Sequence, residues 1–160
     1  MTPQEYISGL IERLAADGCD PRWDTTTSPF LIGHRSDVQA ATRIHLFTIA
    51  AVVPEITVPV LERFTDFALE AAVKRRKGLP RGLHTGIGVF PALIADRVDP
   101  AAARRASVWQ RTRFACLGRP TVVDTAHRQV AAYRGTPLGG LLYAPHLRRK
   151  NERYFPQPQA

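Results

Sequence analysis

Five histidines, two cysteines and fourteen carboxylates are the side chains with which this chain could do chemistry. His34 and His45 form the pair of most interest. Each lies in a β-rich segment, and the two segments can fold back antiparallel about Ser36–Thr42. The imidazoles would then fall close to cross-strand on one face. Asp37 or Asp24 would supply a carboxylate, and histidine beside a carboxylate is equipment for general acid–base work. The alternative is a half-exposed pair at a sheet end with no such role. His34, His45 and Asp37 are therefore the candidate catalytic set of a small enzyme.

Other chemistries find less support. No two of His34, His45, His84, His127 and His146 are spaced i, i+3 or i, i+4. Asp124 and His127 would meet across one turn as a surface contact, so no metal site and no cofactor are expected. Cys19 and Cys116 stand alone, without a CxxC, and are expected to be free thiols buried as small apolar side chains. A reactive Cys116 is the alternative, since Arg113 and Arg119 lie nearby and cations lower a thiol pKa. The chain has no G-x-x-x-x-G-K-[ST] loop and no G-x-S-x-G elbow. Gly82, Gly86 and Gly88 precede a strand, whereas a dinucleotide fingerprint follows one.

Charge gives a stronger signal. The 160 residues carry a formal net charge of +8, unevenly spread. Residues 1–70 hold five Arg against ten acids; residues 71–160 hold seventeen basic residues against four acids. Three clusters stand out in the basic part. The first is Lys74, Arg75, Arg76, Lys77 and Arg81. The second is Arg104, Arg105, Arg111, Arg113 and Arg119. The third is Arg148, Arg149, Lys150 and Arg153. Gathered on one face, they would attract an acidic protein surface, a second copy of the chain or nucleic acid. Spread out, they are solvated helix ends, or they hold the acidic and basic parts of one fold together. Only three of the cations are Lys. That bias fits a GC-rich, bacterial genome, and it also fits planar recognition of carboxylate or phosphate.

These residues need a scaffold, and the hydrophobic pattern supplies one. Thr2, Pro3 and Glu5 make a capping box that opens a helix over about 3–17, with Tyr6, Ile7, Leu10 and Leu14 on one face and Gly18 at its end. Residues 22–35 and 43–53 read as strands, the second apolar on both faces and therefore central. The connection from Ser36 to Thr42 is longer than a tight hairpin. A helix follows Thr57, with Val60, Phe64, Phe67 and Ala71 on its apolar stripe and Leu61, Ala68 and Ala72 widening it. Residues 87–95 form a strand that Pro91 places at an edge or a bulge. Asp99 caps a helix over 100–111, with Ala102, Ala106 and Trp109 on one face. Residues 120–134 form a hairpin turning near Ala126–Arg128. A last helix starts near 141 or 145 and ends at 154.

The order is α-β-β-α-β-α-β-β-α, which predicts an α+β fold with a mixed or antiparallel sheet of about five strands flanked by helices. Residues 1–155 form one domain, and 156–160 are expected to fray. The α-β-β-α-β run resembles the core of restriction-endonuclease-like nucleases, in element order alone. The resemblance implies an Asp on one strand and [DE]-x-K on the next, which hold Mg²⁺ and steady the attacking water. The corresponding segment here reads Arg43-Ile44-His45-Leu46-Phe47, and no lysine precedes Lys74. None of that family's site residues is carried over. The expectation is a non-catalytic, cytoplasmic binding protein without a membrane span, whose basic surface engages a protein partner or a second copy. Sequence-nonspecific nucleic-acid binding through the same cations is the alternative, and the His34/His45 enzyme is the third reading.

Overall fold

Capping chemistry fixes where the first helix starts. A computed structural model describes residues 1–39, 41–76, 85–113, 116–135 and 144–160. In α1 (Pro3–Ala16) the Thr2 hydroxyl accepts from the Glu5 amide, and the Glu5 carboxylate accepts from the Thr2 amide. Tyr6, Ile7, Leu10 and Leu14 are buried, and Gly18 follows in the left-handed region at φ +81°.

The chain continues through β1 (Arg22–Asp24), β2 (Phe30–Gln39), β3 (Thr42–Val52), α2 (Val58–Arg76) and β4 (Thr85–Ala95). It ends with α3 (Pro100–Val108), β5 (Arg111–Arg113), β6 (Cys116–Gly118), β7 (Thr121–Asp124), β8 (Gln129–Ala132) and α4 (Ala144–Tyr154). This is an α+β fold, with a mixed eight-stranded sheet flanked by helices. The extra strands come from short elements. The 22–35 segment divides into β1 and β2, and the three-residue β5 and β6 are too brief for a periodic signal.

The sheet runs β1-β2-β3-β4, and then β6 and β7 lie one after the other along β4. β5 flanks β6 and β8 flanks β7, both antiparallel. β2 and β3 are antiparallel, whereas β3–β4, β4–β6 and β4–β7 are parallel. The helices divide between the two faces. α2 and α3 cover a core that includes Ile32, Phe47, Ile49 and Leu93, while α1 and α4 cover Leu31, Leu46, Phe90 and Ile94. β3 is buried on both faces from Ile44 to Ala51, as a central strand must be.

Several expectations are corrected. The β2–β3 connection is only two residues, because pairing continues to Gln39 with Thr42. Ser36 and Asp37 read as loop by polarity, yet Arg35 and Asp37 pair with each other and with Asp17 and His146. On α2 the fully buried line is Leu61, Thr65, Ala68, Leu69 and Ala72, rather than the phenylalanine stripe. Small alanines let the helix approach the sheet, and Phe67 flanks it edge-on to Phe30 at 5.0 Å.

Pro91 lies in the central strand β4 rather than at an edge. Val89 pairs with Gly118 and Ala92 with Thr121, so Pro91 stands level with Pro120 at the break between β6 and β7. A residue without an N–H costs little where the neighbouring ladder is interrupted. α3 ends at Val108, leaving Trp109 extended as its C-cap. The tail expected to fray is held as far as Pro158, which is buried. Tyr6 donates to the Pro156 carbonyl at 2.8 Å, and the Gln157 side chain accepts from the Val130 amide at 3.0 Å.

Phe90 is fully buried on β4 and packs edge-on to Tyr154 and Phe155, at 6.3 and 6.4 Å. Phe90→Ala is expected to lower unfolding free energy by about 3–5 kcal/mol in urea titration. A loss below about 1 kcal/mol would show that α4 and the tail do not depend on this packing.

Candidate functional site

The strand register brings the two central histidines together. Ser36 pairs with His45 and His34 with Phe47, so His34 and His45 are diagonal neighbours on the α2 face. His34 Nε2 lies 3.1 Å from His45 Nδ1, and the His34 ring rests on Phe47 at 4.6 Å. One imidazole donates and the other accepts, which requires a neutral partner. Burial pushes both pKa values down. His45 lowers His34 further, and Arg43 and Arg76 lower His45. His34 also lines a small cavity of about 330 Å³ with Asp20, Arg22, Phe47 and Arg75.

Asp37 is not part of this pair. It lies one residue out of phase and faces α1 and α4, where Arg35 Nε donates to Oδ1 at 2.9 Å and His146 Nε2 donates to Oδ2 at 2.8 Å. Asp24 caps the Thr26 amide and pairs with Arg75 at 2.8 Å. The candidate acid–base set is thus divided between the two faces of the sheet.

The Asp37 side belongs to a larger ionic cluster that the sequence did not signal. Asp17 sits at the C-cap of α1, where a negative charge opposes the helix dipole. Its side chain is 5% exposed, yet Lys150 Nζ lies at 2.6 Å, Arg153 Nη1 at 2.7 Å and Arg35 Nη1 at 2.9 Å. Tyr154 donates its hydroxyl at 2.5 Å, and Cys19 Sγ touches that hydroxyl at 3.6 Å. Burial opposes ionisation of Asp17, but Lys150, Tyr154 and Arg35 outweigh it and hold the carboxyl below its usual range. Burial likewise opposes ionisation of Asp37, and Arg35 and His146 outweigh it. Arg35 and Lys150 lie 18 and 133 residues from Asp17 in sequence. No local pattern could have revealed the site.

The three basic clusters do not share one face. Lys74, Arg75, Arg76, Arg104 and Arg105 ride on α2 and α3; Arg148, Arg149 and Lys150 ride on α4, across the sheet. Lys77 and Arg81 lie outside the described residues. Many of these cations meet acids from the first part of the chain. Arg75 pairs with Asp24, Arg97 with Glu55, Arg105 with Glu62, Arg111 with Asp66, and Arg113 with Asp66 and Glu70. Arg148 pairs with Glu152 one turn along its own helix. Of the described members of the three clusters, Lys74, Arg76, Arg104, Arg119 and Arg149 make no ion pair among the described residues.

Both thiols are buried and unbridged, and burial raises both pKa values, which counts against a thiolate at Cys116. Asp124 and His127 make the expected turn contact, with His127 Nδ1 at 2.8 Å and its amide at 2.9 Å from the carboxylate. No group of three His, Cys, Asp or Glu side chains that could hold a metal ion is found among the described residues.

A concavity lies between α3 and β8. It is a groove of about 830 Å³. Val58, Ala101, Val108, Val130 and Ala131 supply apolar lining, and Arg104, Arg105 and Arg134 supply charge. Val108 is 71% exposed on the groove. Arg134, on no helix and in no run of basic residues, was missed in the sequence because only the pairing of β7 with β8 brings it opposite α3.

No protein-family model matches the chain, and no curated protein or solved structure is significantly similar to it. The β2–β3 hairpin leads through α2 to β4, which lies parallel to β3. The hairpin strands carry the His34–His45 pair on one face and the Arg35–Asp37 pair on the other.

Two measurements test this electrostatic account. Because the folded histidine pKa values are depressed, the unfolded chain takes up protons first as pH falls. The pair's contribution is therefore complete above about pH 6.5 and declines from there toward the lower folded values. The Asp17 and Asp37 contributions decline only below about pH 4. The H34Q/H45Q variant is expected to show a shallower fall in Tm between about pH 7 and 5 than the wild type. Equal slopes would mean that the buried pair protonates as freely as in the unfolded chain. Asp17→Asn leaves Lys150 and Arg35 partly uncompensated and is expected to cost about 3–5 kcal/mol by denaturant titration; a loss under about 1 kcal/mol would reduce the cluster to surface pairing.

Proposed function

We propose that the protein works by binding, and that the groove between α3 and β8 receives an acidic, partly apolar segment of a partner protein. The observation that carries this reading is the combination of an apolar lining with arginines whose charge the chain does not neutralise. Arg104 and Arg134 are exposed and make no ion pair among the described residues, whereas Arg105 is shared with Glu62 at 3.0 Å. A segment with alternating carboxylate and aliphatic side chains matches both features. Arginine suits such a role because its planar fork engages a carboxylate with two donors.

Side chains rather than strand addition would hold the partner. The Val130 amide on β8 is already taken by Gln157, which blocks a regular ladder at that position. Of the residues expected to make contact from the sequence, Arg104 and Arg105 stay in this reading, joined by Arg134 and Val108. The other clusters are weaker candidates, because internal ion pairs absorb much of their charge and the sheet separates α4 from α2 and α3. Nucleic-acid binding loses support for the same reason, since it needs a continuous stripe of free cations. Two buried, unbridged thiols are in keeping with a reducing, cytoplasmic setting.

The test is fluorescence anisotropy with a labelled peptide of about ten residues alternating Leu and Glu. The R104E/R134E variant is expected to bind about tenfold more weakly. Val108→Asp should also weaken binding while leaving Tm unchanged, because that side chain is solvent-facing. Equal affinity for a Leu/Gln peptide, or tighter binding of a duplex oligonucleotide that R104E/R134E does not affect, would overturn the proposal.

A further inference from the structure

Arg119 is the largest fully buried side chain among the described residues, at 1% exposure. It lies at the break between β6 and β7, where its amide donates to the Val89 carbonyl at 2.9 Å. β5 and β8 flank the two halves of this broken strand and leave a notch between them. The Arg119 side chain occupies that notch. Its Nε donates to Gln110 Oε1 at 3.3 Å, just before β5, and its guanidinium carbon stands 5.7 Å from the centre of the Tyr133 ring, just after β8.

The two terminal nitrogens, Nη1 and Nη2, are buried without a hydrogen-bond partner. All fourteen carboxylate side chains of the protein lie among the described residues, and none forms an ion pair with Arg119. Arg148 adds to the positive field at this place. A buried guanidinium without a counter-charge is strongly unfavourable, and an amide oxygen and an aromatic face offset only part of that cost.

We propose that the notch between β5 and β8 is a binding site for one oxyanion, a carboxylate or phosphate group, held by the paired Nη donors of Arg119. The two nitrogens lie in one plane and present parallel donors, the geometry that a two-oxygen acceptor completes. Tyr133, half-exposed, covers the guanidinium, so a turn of its side chain gives the anion access. A bound anion would neutralise the buried charge, and its binding energy would appear as stability of the fold. This site is separate from the groove between α3 and β8 and does not depend on a partner protein.

The test uses the full chain, with sodium phosphate and sodium acetate titrated separately against sodium chloride at constant ionic strength. A saturable rise in Tm of about 5–10 °C is expected at about a hundredfold excess over Kd. Response to phosphate alone assigns a phosphate-bearing ligand, response to acetate alone a carboxylate, and response to both a general oxyanion site. Arg119→Met is expected to abolish the rise, and to melt at or above the anion-free wild type because the uncompensated charge is gone. Should that variant fail to fold, the Arg119 Nε–H signal in the NMR spectrum of the wild type gives a second reading, and it is expected to move saturably with the anion. No saturable change in either measurement, or an equal rise in Arg119→Met, overturns the proposal.

Discussion

The carboxylate of Asp17 joins parts of the chain that lie far apart in sequence. It ends α1, and it meets Arg35 from β2 and Lys150, Arg153 and Tyr154 from α4. A carboxylate at a helix C-cap is unfavourable on its own, and burial makes it more so. Three cations and a hydroxyl reverse that balance, provided that α1, β2 and α4 are all in place. The apolar packing of α1 and α4 on one face of the sheet therefore has an ionic condition attached to it. Arg35 also links this cluster to Asp37, and through it to His146, so one connected network holds both helices to the hairpin.

Charge has a second, more diffuse role. The acidic first part and the basic second part meet as neighbours within the fold: Asp24 with Arg75, Glu55 with Arg97, Glu62 with Arg105, and Asp66 and Glu70 with Arg113. Each exposed pair is worth about 0–1 kcal/mol, too little to determine the fold. Their larger effect is on what stays visible from outside. Neutralisation along α2, α3 and β5 removes most of what looked like a docking surface and leaves a few arginines, Arg104 and Arg134 among them, beside an apolar groove.

Much of the fold could be read from local rules. The Thr2–Glu5 capping box, the Asp99 cap and the doubly apolar β3 segment each rest on nearest-neighbour chemistry, and each element is found close to where it was expected. Expectations went astray where distant contacts decide. Polar Arg35 and Asp37 continue a strand because Asp17 and His146 wait across the packing layer. Pro91 is central because the strand beside it is broken at Pro120. The candidate site was legible in the same uneven way. The approach of His34 to His45 followed from a simple hairpin, whereas the placement of Asp37 on the other face depended on a register that the assumed loop length had obscured. Buried Arg119 gave no sign of itself, since in sequence it is one more arginine in a basic run.

The contacts that close α1 onto the far end of the chain bear on the order in which the protein is made. Tyr6 and Asp17 leave the ribosome early, but their partners Pro156, Lys150 and Tyr154 are synthesised more than a hundred residues later. Until then the first helix can pack on β3 and β4 and pair Asp17 with Arg35, but it lacks the cover of α4 and the cations Lys150 and Arg153. The hairpin, α2 and β4 can assemble before α4 is made, whereas the α1 side of the sheet is complete only with it. Such long-range closure slows folding and exposes apolar surface in the meantime. The nascent protein thus keeps this face of the sheet partly exposed until α4 is made.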